Sequence, residues 1–199
     1  MPLSKPARRQ HVHTRKIQCL GFHRDDGLWD IEARLTDTKT YSFGNHDRGG
    51  INAGEAIHDM LIRITINGDF VIQHAEAVTQ SGPFELCPAI NSAFNQLEGV
   101  KIAPGWRKSI LSRFGGVKGC THLTELMLGP ISTTAFQTVR GSREGAKGPD
   151  KDTTATRIVG ACHALASDGP VVQREWPDLY TGGETGGTDS GGETGDTGT

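Results

Sequence analysis

From Lys16 to Val78 apolar and polar residues alternate with a period of two, and turn-forming residues interrupt the pattern at intervals suited to an antiparallel meander. Lys16–Phe22 reads as a first strand, His23–Gly27 as its turn and Leu28–Lys39 as the second strand. In the second strand Trp29, Ile31, Ala33 and Leu35 alternate with Asp30, Glu32, Arg34 and Thr36. The Asp26-Gly27 pair suits a tight hairpin, where both central positions must reach positive φ. After a polar, glycine-rich loop over Ser42–Ala53, the segment His58–Ile66 places Met60, Ile62, Ile64 and Ile66 on one face. Asn67-Gly68 then turns it into a fourth strand, Phe70–Val78.

Beyond Gly82-Pro83 the apolar period lengthens to that of a helix. Pro88–Leu97 carries Ile90, Ala93, Phe94 and Leu97 on one stripe and stops at Gly99. Trp106–Phe114 does the same with Trp106, Ile110 and Phe114. A main helix starts at Thr121 and should bend at Pro130. Gly141–Asp152 reads as a polar loop, Ala155–Ala166 as a last amphipathic helix and Val171–Tyr180 as a packed end segment. Strands followed by helices predict an α+β fold: a four-stranded antiparallel meander with helices packed on one face. The expected organisation is a flexible arm over residues 1–14, a single domain over 15–180 and a disordered tail over 181–199.

That tail contains only Gly, Thr, Ser, Glu and Asp, with nothing apolar to bury. Its four acids, unaccompanied by Lys or Arg, leave the rest of the chain near neutral, so charge makes no case for nucleic acid. No apolar run has the length of a membrane span and none follows Arg8-Arg9 as a secretory signal would, so a cytoplasmic protein is expected. Cys19, Cys87, Cys120 and Cys162 should then be reduced thiols, and their spacing is not that of a zinc ribbon. Homo-oligomer formation stays open.

The chemistry concentrates at helix starts. Gly115–Leu126 delivers Cys120 and His122 through a glycine-rich turn, and Cys87 precedes Pro88 where another helix opens. Unpaired N–H groups and the positive dipole end of a helix favour thiolate, the form that binds metal or attacks electrophiles. Cys87, Cys120, His58, Asp59 and His122 therefore form a candidate metal set for zinc or iron, with a position left to water if the site is catalytic. The alternative is that both cysteines are small buried hydrophobes. Glu125 follows as an acceptor that could orient His122, or as a solvated helix residue. Asp30, Glu32 and Arg34 share one strand face; they are either solvent-exposed or, lining a cavity, a general base and an anion clamp. His74 is a candidate proton carrier beside Glu76, with cross-strand charge pairing as the plain alternative. Trp29, Trp106, Phe84, Phe94 and Tyr41 could wall an aromatic pocket or fill the core. The glycine pairs match neither a P-loop nor a GxGxxG motif, which argues against nucleotide binding.

Several short motifs occur together: Gly27-Leu28-Trp29-Asp30-Ile31-Glu32, His58-Asp59-Met60, Cys87-Pro88, Pro104-Gly105-Trp106, Gly119–Leu123 and Thr133–Gln137. With them the chain resembles a bacterial domain-of-unknown-function family, number 2889, over roughly Arg15 to Pro177. The resemblance implies a link to the catabolism of lignin-derived aromatics, including lyases that release a hydroxymethyl carbon as formaldehyde. On that expectation the protein is a metal-dependent lyase acting on a small diaryl substrate, with His74 or Glu32 taking the hydroxyl proton. The order of strands and cysteines also resembles the NifU-type iron–sulfur scaffold, which implies the alternative of a metal or cluster carrier without turnover. That family's first cysteine has no counterpart here; His58 stands at the neighbouring position.

Overall fold

A computed structural model describes residues 3–147 and 158–182, with backbone alone over 141–147. The chain divides into two compact units, Met1–Gly145 and Ala146–Thr199.

The first unit is built on four antiparallel strands in sequence order: β1 (His13–His23), β2 (Trp29–Lys39), β3 (Ala56–Ile66) and β4 (Ile72–Ser81). Each strand exposes alternate residues to opposite faces, so the period-two pattern becomes one buried and one solvated face. Trp29, Ile31, Ala33 and Leu35 of β2 meet Met60, Ile62, Ile64 and Ile66 of β3 on the inner face, all buried. The α+β architecture read from the sequence is the one observed. Strand ends moved: β1 starts at His13, within the expected arm, because Val12 already accepts a hydrogen bond from the Thr40 amide. β4 starts two residues later than the pattern suggested, since Phe70 adopts φ 62° in the turn.

Helical segments cover the inner face. A run of 3₁₀ turns over Cys87–Leu97 lies on β4; α1 (Trp106–Phe114) and α2 (Thr121–Leu128) pack together, and α2 rests on β2 and β3. The Cys87–Leu97 segment winds as 3₁₀ rather than α helix; it opens on Pro88, holds the weak helix formers Asn91, Ser92 and Asn95, and is tied to β4 where Thr79 Oγ1 donates to Asn91 Oδ1 at 2.8 Å. Pro130 does more than bend the main helix. Gly129, ahead of the proline, leaves the helical region (φ −145°, ψ −59°), and a separate α3 (Pro130–Lys147) begins with the proline in its first turn. α3 runs through the start of the expected 141–152 loop. Its Thr138 lies against Gly21, where a Cβ would come within 2.7 Å of the Thr138 Cβ, so any side chain there must displace Thr138. Phe94 and Phe114 stack at 4.5 Å, and the Trp106 indole N–H donates to the Met127 carbonyl at 2.6 Å, joining α1 to α2 in the core.

In the second unit a 3₁₀ turn (His163–Leu165) replaces the later part of the expected 155–166 helix, followed by α4 (Pro170–Glu175) and a 3₁₀ turn (Pro177–Leu179). Residues 148–157 and the tail from 183 lie outside the described residues. No helix among the described residues is long and apolar enough to cross a membrane.

Candidate metal centre

At one end of the sheet the inner face stops being apolar without losing its phase. The β2 series Trp29, Ile31, Ala33, Leu35 continues to Asp37, and the β3 series Ile66, Ile64, Ile62, Met60 runs back to His58. Register makes Arg15, Asp37 and His58 one cross-strand row, with a bulge directly after Asp37. α2 sets His122 and Glu125 against that row.

Asp37 is 2% exposed and its carboxylate is held from several sides. His13 Nε2 lies 2.9 Å from Oδ1 and Arg15 Nε donates to the same oxygen at 2.9 Å. Arg15 Nη2 donates to Oδ2 at 2.8 Å, and His58 Nδ1 stands 3.0 Å from Oδ2. Burial works to raise the Asp37 pKa; the Arg15 guanidinium outweighs it, with His13 and His58 helping, and the carboxyl is held at about 2. Arg15 also reaches Glu125 Oε2 at 2.5 Å, tying β1 to α2. His58 and His122 are both pushed below the ordinary imidazole range, first by burial. For His122 the charges of His58 and Arg15 add to that direction. Neutral imidazole is the form that offers a lone pair to a metal.

The two rings lie with centroids 3.7 Å apart at 32°. His122 Nδ1 is 3.9 Å from the Cys120 Sγ at the N-cap of α2, and its Nε2 is 3.7 Å from Asp37 Oδ2. That second separation is too long for a hydrogen bond. It is close to the spacing of two ligand atoms that share one ion through bonds of about 2.0–2.1 Å. In the tautomer that turns Nδ1–H to the thiol, the Nε2 lone pair would face a carboxylate oxygen, an arrangement that a cation between them would stabilise. One ligand atom each from Asp37, His58 and His122 lies within 4.8 Å of the others, and among the described residues this is the one group of three with that property.

The cluster overlaps the expected ligand set only in part. His58 and His122 are in the cluster; Cys120 stands behind His122, and Cys87 does not join them. Cys87 opens the 3₁₀ segment over β4, its Cβ 2.7 Å from where a Gly82 Cβ would lie, so it fills space against the last strand. Asp59, adjacent to His58 in a strand, points to the opposite face and receives Arg34 Nε and Nη2 at 2.8 and 2.6 Å. The outer face also holds the residues considered for proton transfer. Asp30 is bonded by Thr65 and Arg24, Glu32 is 3.5 Å from Arg63, and His74 pairs with Glu98 at 3.0 Å. Glu32 and Arg34 line a shallow open depression there, on the far side of the sheet from the cluster. Asp37, Arg15 and His13 were absent from the sequence-based set. The available signal was an aspartate in the buried phase of β2.

A family model described as "Protein of unknown function (DUF2889)" matches residues 13–137, a span that contains every residue of this cluster. No curated protein and no solved structure matches the chain.

Proposed function

The chain belongs to that family of unknown function, and from the geometry of its site we propose a metal-dependent enzyme whose divalent ion, zinc or iron(II), is held by Asp37, His58 and His122. The carrying observation is the 3.7 Å gap between His122 Nε2 and Asp37 Oδ2, in a cluster where burial favours neutral imidazole at His58 and His122 and Arg15 keeps the carboxylate ionised. Two histidines and one carboxylate leave coordination positions open, as catalytic sites do. Arg15 and His13 hold the Asp37 oxygens in place, and Cys120 can accept the Nδ1–H of His122, which orients the ring. An ion bound there would supply stabilisation of a developing negative charge on oxygen.

For the reaction we propose carbon–carbon bond cleavage in a lignin-derived diaryl substrate, releasing a hydroxymethyl group as formaldehyde. His13 suits the proton transfer: its Nε2 faces Asp37 Oδ1 at 2.9 Å, which leaves Nδ1 to accept the primary hydroxyl proton, with the carboxylate beside the imidazolium that forms. The electron pair of the broken bond passes to the benzylic carbon, which takes up a proton, so substrate becomes its dehydroxymethylated product plus formaldehyde with no net redox change. The four free cysteines suit a reducing, cytoplasmic setting. The iron–sulfur carrier reading loses its main support, since Cys87 and Cys120 do not share a ligand group among the described residues. The test is formaldehyde release from a hydroxymethyl-bearing diaryl compound by chelator-treated protein resupplied with zinc or iron(II). Turnover restored by metal in wild type but not in His122→Ala supports the proposal. Metal binding without formaldehyde removes the lyase assignment and keeps the metal centre.

A further inference from the structure

The inner face carries one more charged residue beyond the metal centre. β1 and β2 stay in register to this end, so His13 lies opposite Lys39 as Arg15 lies opposite Asp37. Side chains two apart on a strand share a face, which sets Lys39 on the centre's side of the sheet, about 7 Å along β2 from Asp37. Its backbone is fixed on both sides. The Gly54 amide donates to the Lys39 carbonyl at 2.8 Å, and Thr40 bonds Val12 through its amide and His11 through its hydroxyl. Aromatic rings hold the ammonium: Nζ lies 4.6 Å from the centre of the Phe43 ring and 5.1 Å from that of Tyr41. Phe43 is itself anchored by two backbone bonds to the buried Ile51.

The arginines of the strands are all neutralised: Arg15 pairs with Asp37 and Glu125, Arg34 with Asp59 and Arg63 with Glu76. Among the described residues no carboxylate lies within ion-pair reach of Lys39. Asp37, the acid on its own strand face, has both oxygens taken by Arg15, His13 and His58. A half-buried ammonium, fixed in place and without a counter-ion, is stabilised by an anion that comes from outside. Tyr41, 46% exposed, presents a flat aromatic surface beside it.

We propose that Lys39, with Tyr41 and Phe43, binds a carboxylate carried on an aromatic ring: the ammonium takes the carboxylate and Tyr41 takes the ring. A carboxylate suits the site better than a phenol, because a phenol with a pKa of about 10 is uncharged at neutral pH. Naming this ligand the substrate rests on the metal-dependent lyase reading, whereas the binding itself does not. On that reading Lys39 sets specificity for diaryl acids, with the carboxylate at Lys39 and the rest of the molecule lying towards His13 and Asp37.

The test is calorimetric titration of the full chain, chelator-treated and zinc-loaded in parallel, with a stilbene bearing one para-carboxylate and with the matching carboxamide. Wild type should bind the carboxylate about tenfold more tightly than the amide in both preparations. Lys39→Met should abolish that preference while leaving amide binding unchanged, Lys39→Arg should retain it, and Tyr41→Ala should weaken both ligands alike. A lysine that merely packs on the rings would instead lower affinity for both ligands in Lys39→Met, which overturns the proposal. So would equal affinity of wild type for the two ligands, a preference that survives Lys39→Met, or no carboxylate binding up to about 1 mM, the upper end of ordinary substrate affinities. A preference seen only with zinc and lost in His122→Ala would assign the carboxylate to the ion and also overturn it. Protein that takes up no zinc yet keeps the Lys39-dependent preference would contradict the metal centre and support this site.

Discussion

Replacing Asp37 by Asn isolates the electrostatics of the cluster, because asparagine keeps the shape and one acceptor oxygen but cannot ionise. A carboxyl held at about 2 when folded, against 3.8 in the free chain, contributes about 2 kcal/mol of stability at neutral pH. The sign follows from the direction of the shift. The folded state binds the proton less readily than the unfolded chain, so the contribution is complete above pH 4 and is lost as pH falls through 4 towards 2. Asp37→Asn should therefore be about 2 kcal/mol less stable than wild type at pH 7, with most of the gap closed by pH 2, where the native carboxyl is about half protonated. The measurement is urea unfolding of both proteins at pH steps from 7 to 2 with chelator present, so that metal does not add its own pH dependence. Stability curves that stay parallel over this range would refute the claim that Arg15 and its neighbours hold Asp37 ionised.

Further predictions follow from other contacts. Below pH 6.5 wild type should lose stability before the Asp37 window opens. His58 and His122 are neutral when folded and take up protons in the unfolded chain, and His122→Gln should flatten that earlier part of the curve. Gly21→Ala should cost about 1–3 kcal/mol in thermal or denaturant unfolding, because its Cβ drives Thr138 and α3 off β1. Trp106→Phe should cost about 1–2 kcal/mol by the same assay, since it strips the Met127 carbonyl of its buried donor. Cys120→Ser should weaken metal binding by about tenfold in calorimetry while Cys87→Ser leaves it unchanged, which separates the thiol behind His122 from the one packed on β4.

The sheet was legible because its inner face is continuous: β2 and β3 alternate cleanly, and a register slip would bury charges. Trp106–Phe114 matched its apolar stripe residue for residue. The 3₁₀ course of Cys87–Leu97 was not legible, since its apolar spacing fits an α helix and only the pull of Thr79 on Asn91 and the run of weak helix formers distinguish it. For the site, His58 and His122 could be picked out as unusual residues near helix or strand starts, but their true partner could not be chosen by motif. Adjacent residues in a strand face opposite ways, so naming both His58 and Asp59 as ligands conflicted with the same alternation that located the strand. Reading that alternation one step further along β2 reaches Asp37. The pairing of Arg15 with Asp37 needs the hairpin register, and the approach of His122 needs the packing of α2, neither of which local sequence specifies.

The most direct test of the account is the metal content and affinity of untagged protein, measured by elemental analysis and by calorimetric titration with zinc and iron(II). One divalent ion per chain is expected for wild type and for Cys87→Ser, and affinity should fall at least tenfold in Asp37→Asn and in His122→Ala. An ion that binds equally well to all four proteins, or to none of them, would contradict a centre built from Asp37, His58 and His122.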